Sequence, residues 1–147
     1  MNKKNGFTLI ELLVVISIMG ILLALSVFGM QNARKASRDG KRKADLEQIR
    51  SALEMYKADC GAYPLTSALV LKSATTLTGN GDDCSSSNIY ISTIPTDPVS
   101  TTSNYYYSSN GDTYVLCASL EQGSGSVGCG GSTTSCGTAC NYKVKSP

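Results

Sequence analysis

Between Lys4 and Arg34 the chain carries one charge, Glu11. The stretch Phe7 to Met30 is otherwise apolar or small, about 24 residues, and at ~1.5 Å per residue it makes ~36 Å of helix, enough to cross a hydrocarbon core of ~30 Å. A run of this kind must be surrounded by lipid or by other helices, and it leaves only roughly 90 residues of the chain for a compact head. A secretory signal is a poorer description. It would need an apolar region of about 7 to 15 residues followed by a small-residue cleavage site, for which Ala24 and Ser26 are weak candidates. The carboxylate is the informative anomaly: near a bilayer centre it costs on the order of 2.5 to 3.5 kcal/mol on insertion scales, so it needs a partner or a place at headgroup depth. The reading preferred here is that a cationic group reaches Glu11 on assembly.

Composition narrows the chemistry. The chain has no histidine and no tryptophan, which removes histidine acid and base catalysis. Its net charge of +2 hides a division. Basic residues crowd the first part, with Arg34, Lys35, Arg38, Lys41, Arg42 and Lys43 just past the apolar run, whereas after Lys57 only Lys72, Lys143 and Lys145 face Asp59, Asp82, Asp83, Asp97, Asp112 and Glu121. The cluster Arg34 to Lys43 suits lipid headgroups or acidic neighbours in an assembly better than nucleic acid. No nucleophile and base can be paired, and Asp97 and Asp112 stand beside turns, where aspartate is favoured for local reasons, so an enzyme is not expected.

All six cysteines, Cys60, Cys84, Cys117, Cys129, Cys136 and Cys140, follow residue 58. An even set confined to the head argues for a disulfide framework formed outside a reducing cytoplasm, with about fifteen pairings open. A zinc site at Cys136 and Cys140 is the rival, weakened by the absence of histidine and of a close cysteine pair. The cysteines also decide orientation. Lys3 and Lys4 favour a cytoplasmic N-terminus, the cluster Arg34 to Lys43 opposes that by the same positive-inside bias, and the disulfide head places itself outside.

Four segments follow: 1–6, short and basic; 7–30, apolar; 31–58, amphipathic; and 59–147, the head. Leu46, Ile49, Leu53 and Tyr56 recur at helical spacing, with Ala52 and Met55 beside them, so one helix is expected from about Phe7 to Ala58, ending near Cys60-Gly61 and before Pro64. A short helix at 67–73 and a polar loop at 79–88 are expected next. Cys84 in that loop is placed to return to Cys60, which would close a loop of about 25 residues and stabilise the head by ~3 kcal/mol. After the rigid turn Ile94-Pro95-Thr96-Asp97-Pro98, Tyr105-Tyr106-Tyr107 and Thr113 to Ala118 flank Asn110-Gly111 and predict a hairpin. Asn141 to Lys145 alternates and supplies a third strand. The tyrosines read as sheet packing rather than as a stacking platform for bases. Gly128 to Gly131 lacks the strand and helix that frame a phosphate-binding loop.

Gly6-Phe7-Thr8-Leu9-Ile10-Glu11 followed by Leu12-Leu13-Val14-Val15-Ile16 resembles the prepilin cleavage and methylation motif of type IV pilins and type II secretion pseudopilins. The resemblance implies an α+β, pilin-like fold: a long N-terminal helix whose first half spans the membrane, and a small antiparallel sheet in the head. It implies that prepilin peptidase removes the leader 1–6 by cutting between Gly6 and Phe7, that the new Phe7 amine is methylated, and that Glu11 pairs with the Phe7 amine of a neighbouring subunit. Losing Lys3 and Lys4 leaves equal numbers of basic and acidic side chains. The physics agrees, since one ionic pair among apolar helices sets register more than it adds stability.

The implied product is a structural subunit of a filament, either a surface pilus or a secretion pseudopilus. Its partners would be further copies, minor pilins or pseudopilins, prepilin peptidase, an inner-membrane assembly platform and membrane lipid. It would start as a single-pass inner-membrane protein with its N-terminus in the cytoplasm. The competing reading is a membrane-anchored outer binding module that does not polymerise.

Within the family, Arg38-Asp39-Gly40-Lys41-Arg42-Lys43-Ala44-Asp45-Leu46 through Tyr56, then Gly61-Ala62-Tyr63-Pro64, is similar to the stalk of G-type pseudopilins and related small pilins. Two departures stand out. Where many members have a helix-bending proline, this chain has Phe28-Gly29, and glycine weakens a helix by only about 1 kcal/mol. Pro95-Thr96-Asp97-Pro98, Asn110-Gly111-Asp112 and Leu120-Glu121 are similar to the region that holds calcium in G-type pseudopilins, but Gly123-Ser124-Gly125-Ser126 replaces the acidic loop. A calcium site needs several converging oxygens, so no cofactor or metal is expected, with disulfides taking over the stapling.

Overall fold

The computed structural model describes residues 6–65, 71, 75–80 and 82–147. Residues 1–5 of the expected leader 1–6 and most of the expected helix at 67–73 lie outside them. The architecture is α+β. One helix, α1 (Leu9–Cys60), precedes five short strands: β1 (Leu77–Thr78), β2 (Ile89–Ile91), β3 (Tyr106–Ser109), β4 (Tyr114–Ala118) and β5 (Tyr142–Lys145). The chain divides into two compact units, up to Ala36 and from Ser37 onward.

The start of α1 is set by Thr8 and Glu11. The Thr8 N–H and hydroxyl both donate to Glu11 Oε2, at 2.8 Å each, and the Glu11 N–H donates back to Thr8 Oγ1 at 3.3 Å. This is a capping box, in which two otherwise orphaned groups satisfy each other. α1 is assigned without interruption through Gly29 and Gly40. It stops where Gly61 takes a φ of +79°, a left-handed cap open to glycine at little cost, and its N–H donates to the Lys57 carbonyl at 2.9 Å.

β3, β4 and β5 form one antiparallel sheet in that order, and β1 pairs with β2 in a second. The register puts Tyr107 opposite Leu116 and Leu116 opposite Val144, a row that faces the core. Leu46, Ile49, Ala52, Leu53 and Tyr56 of α1 share that core with Tyr105, Tyr107, Tyr114, Leu116 and Val144, which is the spacing expected of one helical face meeting the inward positions of strands. The opposite face of β4 is also covered. Cys117 packs with Cys129, Cys136 and Cys140 under Tyr106 and Val127, so Leu116, Cys117 and Ala118 are buried in succession where a one-sided strand would alternate.

Side-chain caps shape both hairpin turns. The turn between β3 and β4 has four residues, Asn110 to Thr113. Only Gly111 takes positive φ, +94°, while Asn110 Oδ1 accepts the N–H groups of Asp112 and Thr113. A longer turn relieves asparagine of the left-handed conformation by letting its side chain cap the backbone. The loop 79–88 is the tip of the β1–β2 hairpin, where Asn80 Oδ1 accepts the N–H groups of Asp82, Asp83 and Cys84.

Candidate assembly site

In the first unit the predicted processing and assembly residues are all on the surface. Gly6 and Phe7 precede the helix, and Phe7 is 93 % exposed. Every large hydrophobic residue described from Leu9 to Met30 is exposed too, so this apolar surface has no partner among the described residues. α1 contains a window long and apolar enough to span a membrane, none of it buried. Its hydroxyls are satisfied internally: Ser17 donates to the Val14 carbonyl at 2.7 Å and Ser26 to the Leu22 carbonyl at 2.8 Å. Internal satisfaction is what a hydrocarbon solvent requires. Glu11 has a partner inside the chain, Thr8, in addition to any cation from outside. The signal for that cap, Thr-x-x-Glu before an apolar run, is present in the sequence but is overshadowed there by the intermolecular role given to Glu11.

In the second unit part of the basic cluster, expected to meet lipid headgroups or acidic neighbours, turns instead to carboxylates of its own chain. Arg42 is 1 % exposed. Its Nε and Nη2 donate to the two oxygens of Asp97 at 2.8 and 3.0 Å, and its Nη1 donates to Asp39 at 2.8 Å and Glu121 at 3.1 Å. Arg38 donates through Nε and Nη2 to both oxygens of Glu121, at 2.6 Å each. Asp39 also accepts the N–H groups of Glu121 and Gln122, and Asp97 that of Val99. Two guanidinium groups therefore meet three carboxylates in an ionic latch that ties α1 to Asp97 and Glu121, and backbone donors offset the surplus negative charge. Planar bidentate pairing is the geometry for which arginine is suited and lysine is not.

The Arg38 guanidinium, joined by Arg42, holds the Glu121 carboxyl down to about 2 against the opposing effect of burial. Burial alone would raise Asp39, but the N–H groups of Glu121 and Gln122 together with Arg42 keep it below its ordinary value. Asp97 above all raises the Arg42 guanidinium further beyond the reach of titration.

Further along α1 the carboxylates accept from tyrosines. Tyr105 donates to Asp45 at 2.7 Å, Tyr63 and Tyr114 to the two oxygens of Glu54 at 2.9 and 3.0 Å, and Tyr90 to Asp59 at 3.2 Å. Burial first, and then Glu54, pushes the Tyr63 hydroxyl up to about 12. All six cysteines are bonded: Cys60 to Cys84, Cys117 to Cys129, and Cys136 to Cys140. The first bond fastens the end of α1 to the tip of the β1–β2 hairpin.

The residues that resemble a calcium region do not fit a cation. Asp97 and Glu121 spend their oxygens on guanidinium groups, and Asp112 lies apart, offering its backbone carbonyl to Lys57 at 3.3 Å. Among the described residues no group of three or more acidic, histidine or cysteine side chains could hold a metal.

Comparison with known proteins matches both units. Residues 1–27 match the family model for the prokaryotic N-terminal methylation motif, and residues 29–131 match that for type II secretion system protein G. The type II secretion system core protein G of Vibrio cholerae is 34 % identical over 116 residues, covering 76 % of this chain and 75 % of that protein. The core protein G of Pseudomonas aeruginosa is 38 % identical over 102 residues, covering 66 % and 69 %, and that of Klebsiella pneumoniae 46 % over 67 residues, covering 45 % and 47 %. No solved structure matches the chain. The match to protein G runs from the apolar helix through the latch at Arg42 and the β3–β4 hairpin, and the chain belongs to the type II secretion system protein G family of pseudopilins.

Proposed function

We propose that this chain is a structural pseudopilus subunit, made as an inner-membrane precursor, trimmed by prepilin peptidase between Gly6 and Phe7, methylated on the Phe7 amine, and polymerised through residues 7–30 with other pseudopilins at an inner-membrane assembly platform. The observation that carries the reading is the wholly exposed apolar stretch of α1, which begins beside an exposed Gly6-Phe7 bond and contains one carboxylate. Gly6 supports it further. A Cβ there would meet nothing among the described residues, so the bond stands open to a processing enzyme. Glu11 then exchanges its cap on Thr8 for the new amine of a neighbour, and that ion pair fixes the register of adjacent helices.

The head lies outside the cytoplasm, where its three disulfides persist. Its buried and half-buried carboxylates are taken up by guanidinium groups, backbone N–H groups and tyrosine hydroxyls, which supports a structural head. Family membership favours the pseudopilus over a surface pilus. Mass spectrometry of the mature chain tests the reading: an N-terminus at Phe7 with one added methyl is expected, and an intact Met1 or a cut near Ser26 would overturn it. Glu11→Ala should leave the chain inserted but unpolymerised. Normal fibres from that variant would refute the pairing assigned to Glu11.

A further inference from the structure

A shallow groove of about 440 Å³ lies beside the last turns of α1, lined by Met55, Ala58, Asp59, Asn88, Ile89 and Tyr90. Two large apolar side chains stand out from it: Met55 is 50 % exposed and Ile89 63 %. Asp59 at its rim is exposed and accepts only the Tyr90 hydroxyl among the described residues.

The same helix carries a surface of opposite character nearer its start. Ser37, Gly40, Lys41 and Ala44 are spaced at i, i+3, i+4 and i+7, which puts them on one face, and all four are exposed. A Cβ at Gly40 would meet nothing. Lys41 has no ion pair or hydrogen bond among the described residues, in contrast to Arg38 and Arg42 on either side. This face is flat and holds one long side chain, a free cation. The groove has protruding apolar groups and a carboxylate with no cationic partner among the described residues. The two complement each other in relief and in charge, but they lie roughly 18 residues apart on one helix, about 27 Å at ~1.5 Å per residue, so they cannot meet within a chain.

We propose that the Met55–Asp59–Ile89 groove of one subunit docks on the Ser37–Gly40–Lys41–Ala44 face of a second copy of this chain. Met55 and Ile89 seat over Gly40, and Asp59 pairs with Lys41. This contact lies between heads and adds to the packing of the apolar helices. It requires two copies with parallel helices offset axially by about 25 Å, the distance along α1 between the centres of the two surfaces. It rests on the polymer reading above.

The test is carbodiimide coupling of wild-type fibres within the envelope of expressing cells, followed by peptide mass spectrometry. An amide between Asp59 and Lys41 is expected in fibres and not in detergent-dispersed monomer, and because the two residues are too far apart in one chain it must join two copies. Gly40→Leu, which fills the flat face, and Lys41→Asp should each reduce fibre yield about tenfold or more, as like-charge or steric conflict at an interface does. Oxidised mass and thermal melting of the full chain should stay at wild-type values, showing that the head is folded. Combining Lys41→Asp with Asp59→Lys should restore fibres. Wild-type fibres without the Asp59–Lys41 product, Gly40→Leu fibres at wild-type yield, or a double swap that fails to restore them would each overturn the proposal while leaving the polymer reading intact. Absence of wild-type fibres would overturn both.

Discussion

The two units use leucine for opposite ends. In the second unit, Leu46, Leu53 and Leu116 are wholly buried, and their contacts help to offset the conformational entropy lost on folding. In the N-terminal unit, Leu12, Leu22 and Leu25 are as apolar and yet lie on the surface, held in a helix by backbone bonds and the Thr8–Glu11 cap alone. The first pattern is a fold completed within one chain. The second is a fold left for lipid and other subunits to complete, and its hydrophobicity measures assembly rather than stability.

The comparison is broken most severely at the latch. Arg42→Ala leaves the Asp97 carboxylate buried without its guanidinium, and removing one partner of a buried pair costs about 3 to 5 kcal/mol. Tyrosine near-ultraviolet dichroism of the full chain in detergent should show a much earlier melt. Replacing Cys60 and Cys84 by serine should follow closely, at ~3 kcal/mol in the chain-entropy view, with urea unfolding as the measure.

Acid acts on the same latch. Glu121 and Asp39 have folded values below their unfolded ones, so their contribution is complete above the unfolded value and is lost as the pH falls. For Glu121 the window runs from 4.5 down to about 2. The melting temperature should fall across that range, and Glu121→Gln should flatten its slope. Tyr105→Phe strips the buried bond to Asp45 and should cost about 1.5 to 3 kcal/mol, read from the urea midpoint at unchanged slope. The smallest effect sharpens the contrast: Leu53→Ala should cost about 2 to 5 kcal/mol, whereas Leu22→Ala should move head stability by less than about 0.5 kcal/mol. An equal loss from both would abolish the distinction.

What could be read from residues alone was what depends on near neighbours. The apolar run, the stripe Leu46–Ile49–Leu53–Tyr56 and the strands around Asn110-Gly111 are local patterns, and the structure keeps them with shifts of a residue or two. β1 and β2 escaped because they have two and three residues, too few to show alternation, and a polar loop separates them. Arg42 escaped for a different reason. Nothing distinguishes it in sequence from the exposed Lys41 and Lys43; its burial depends on Asp97 and Glu121, 55 and 79 residues downstream. Of the disulfides, Cys60–Cys84 is legible from position, whereas Cys117–Cys129 depends on the loop after β4 folding back over the outer face of the sheet. That fold-back needs Gly130, which has a φ of +58° and lies under the Tyr106 hydroxyl, where a Cβ would collide.

The ties along α1 have a mechanical meaning. The head is fastened to the helix at Asp39 and Arg42, at Asp45, at Glu54, and finally at the covalent bond from Cys60, a series that spans ~30 Å of helix. Tension applied along the helix would therefore load these attachments together, in shear, instead of peeling them off one after another. Should the polar ties slip, the disulfide from Cys60 still pins the far end of α1 to the tip of the β1–β2 hairpin, so the attachment fails last where it is covalent.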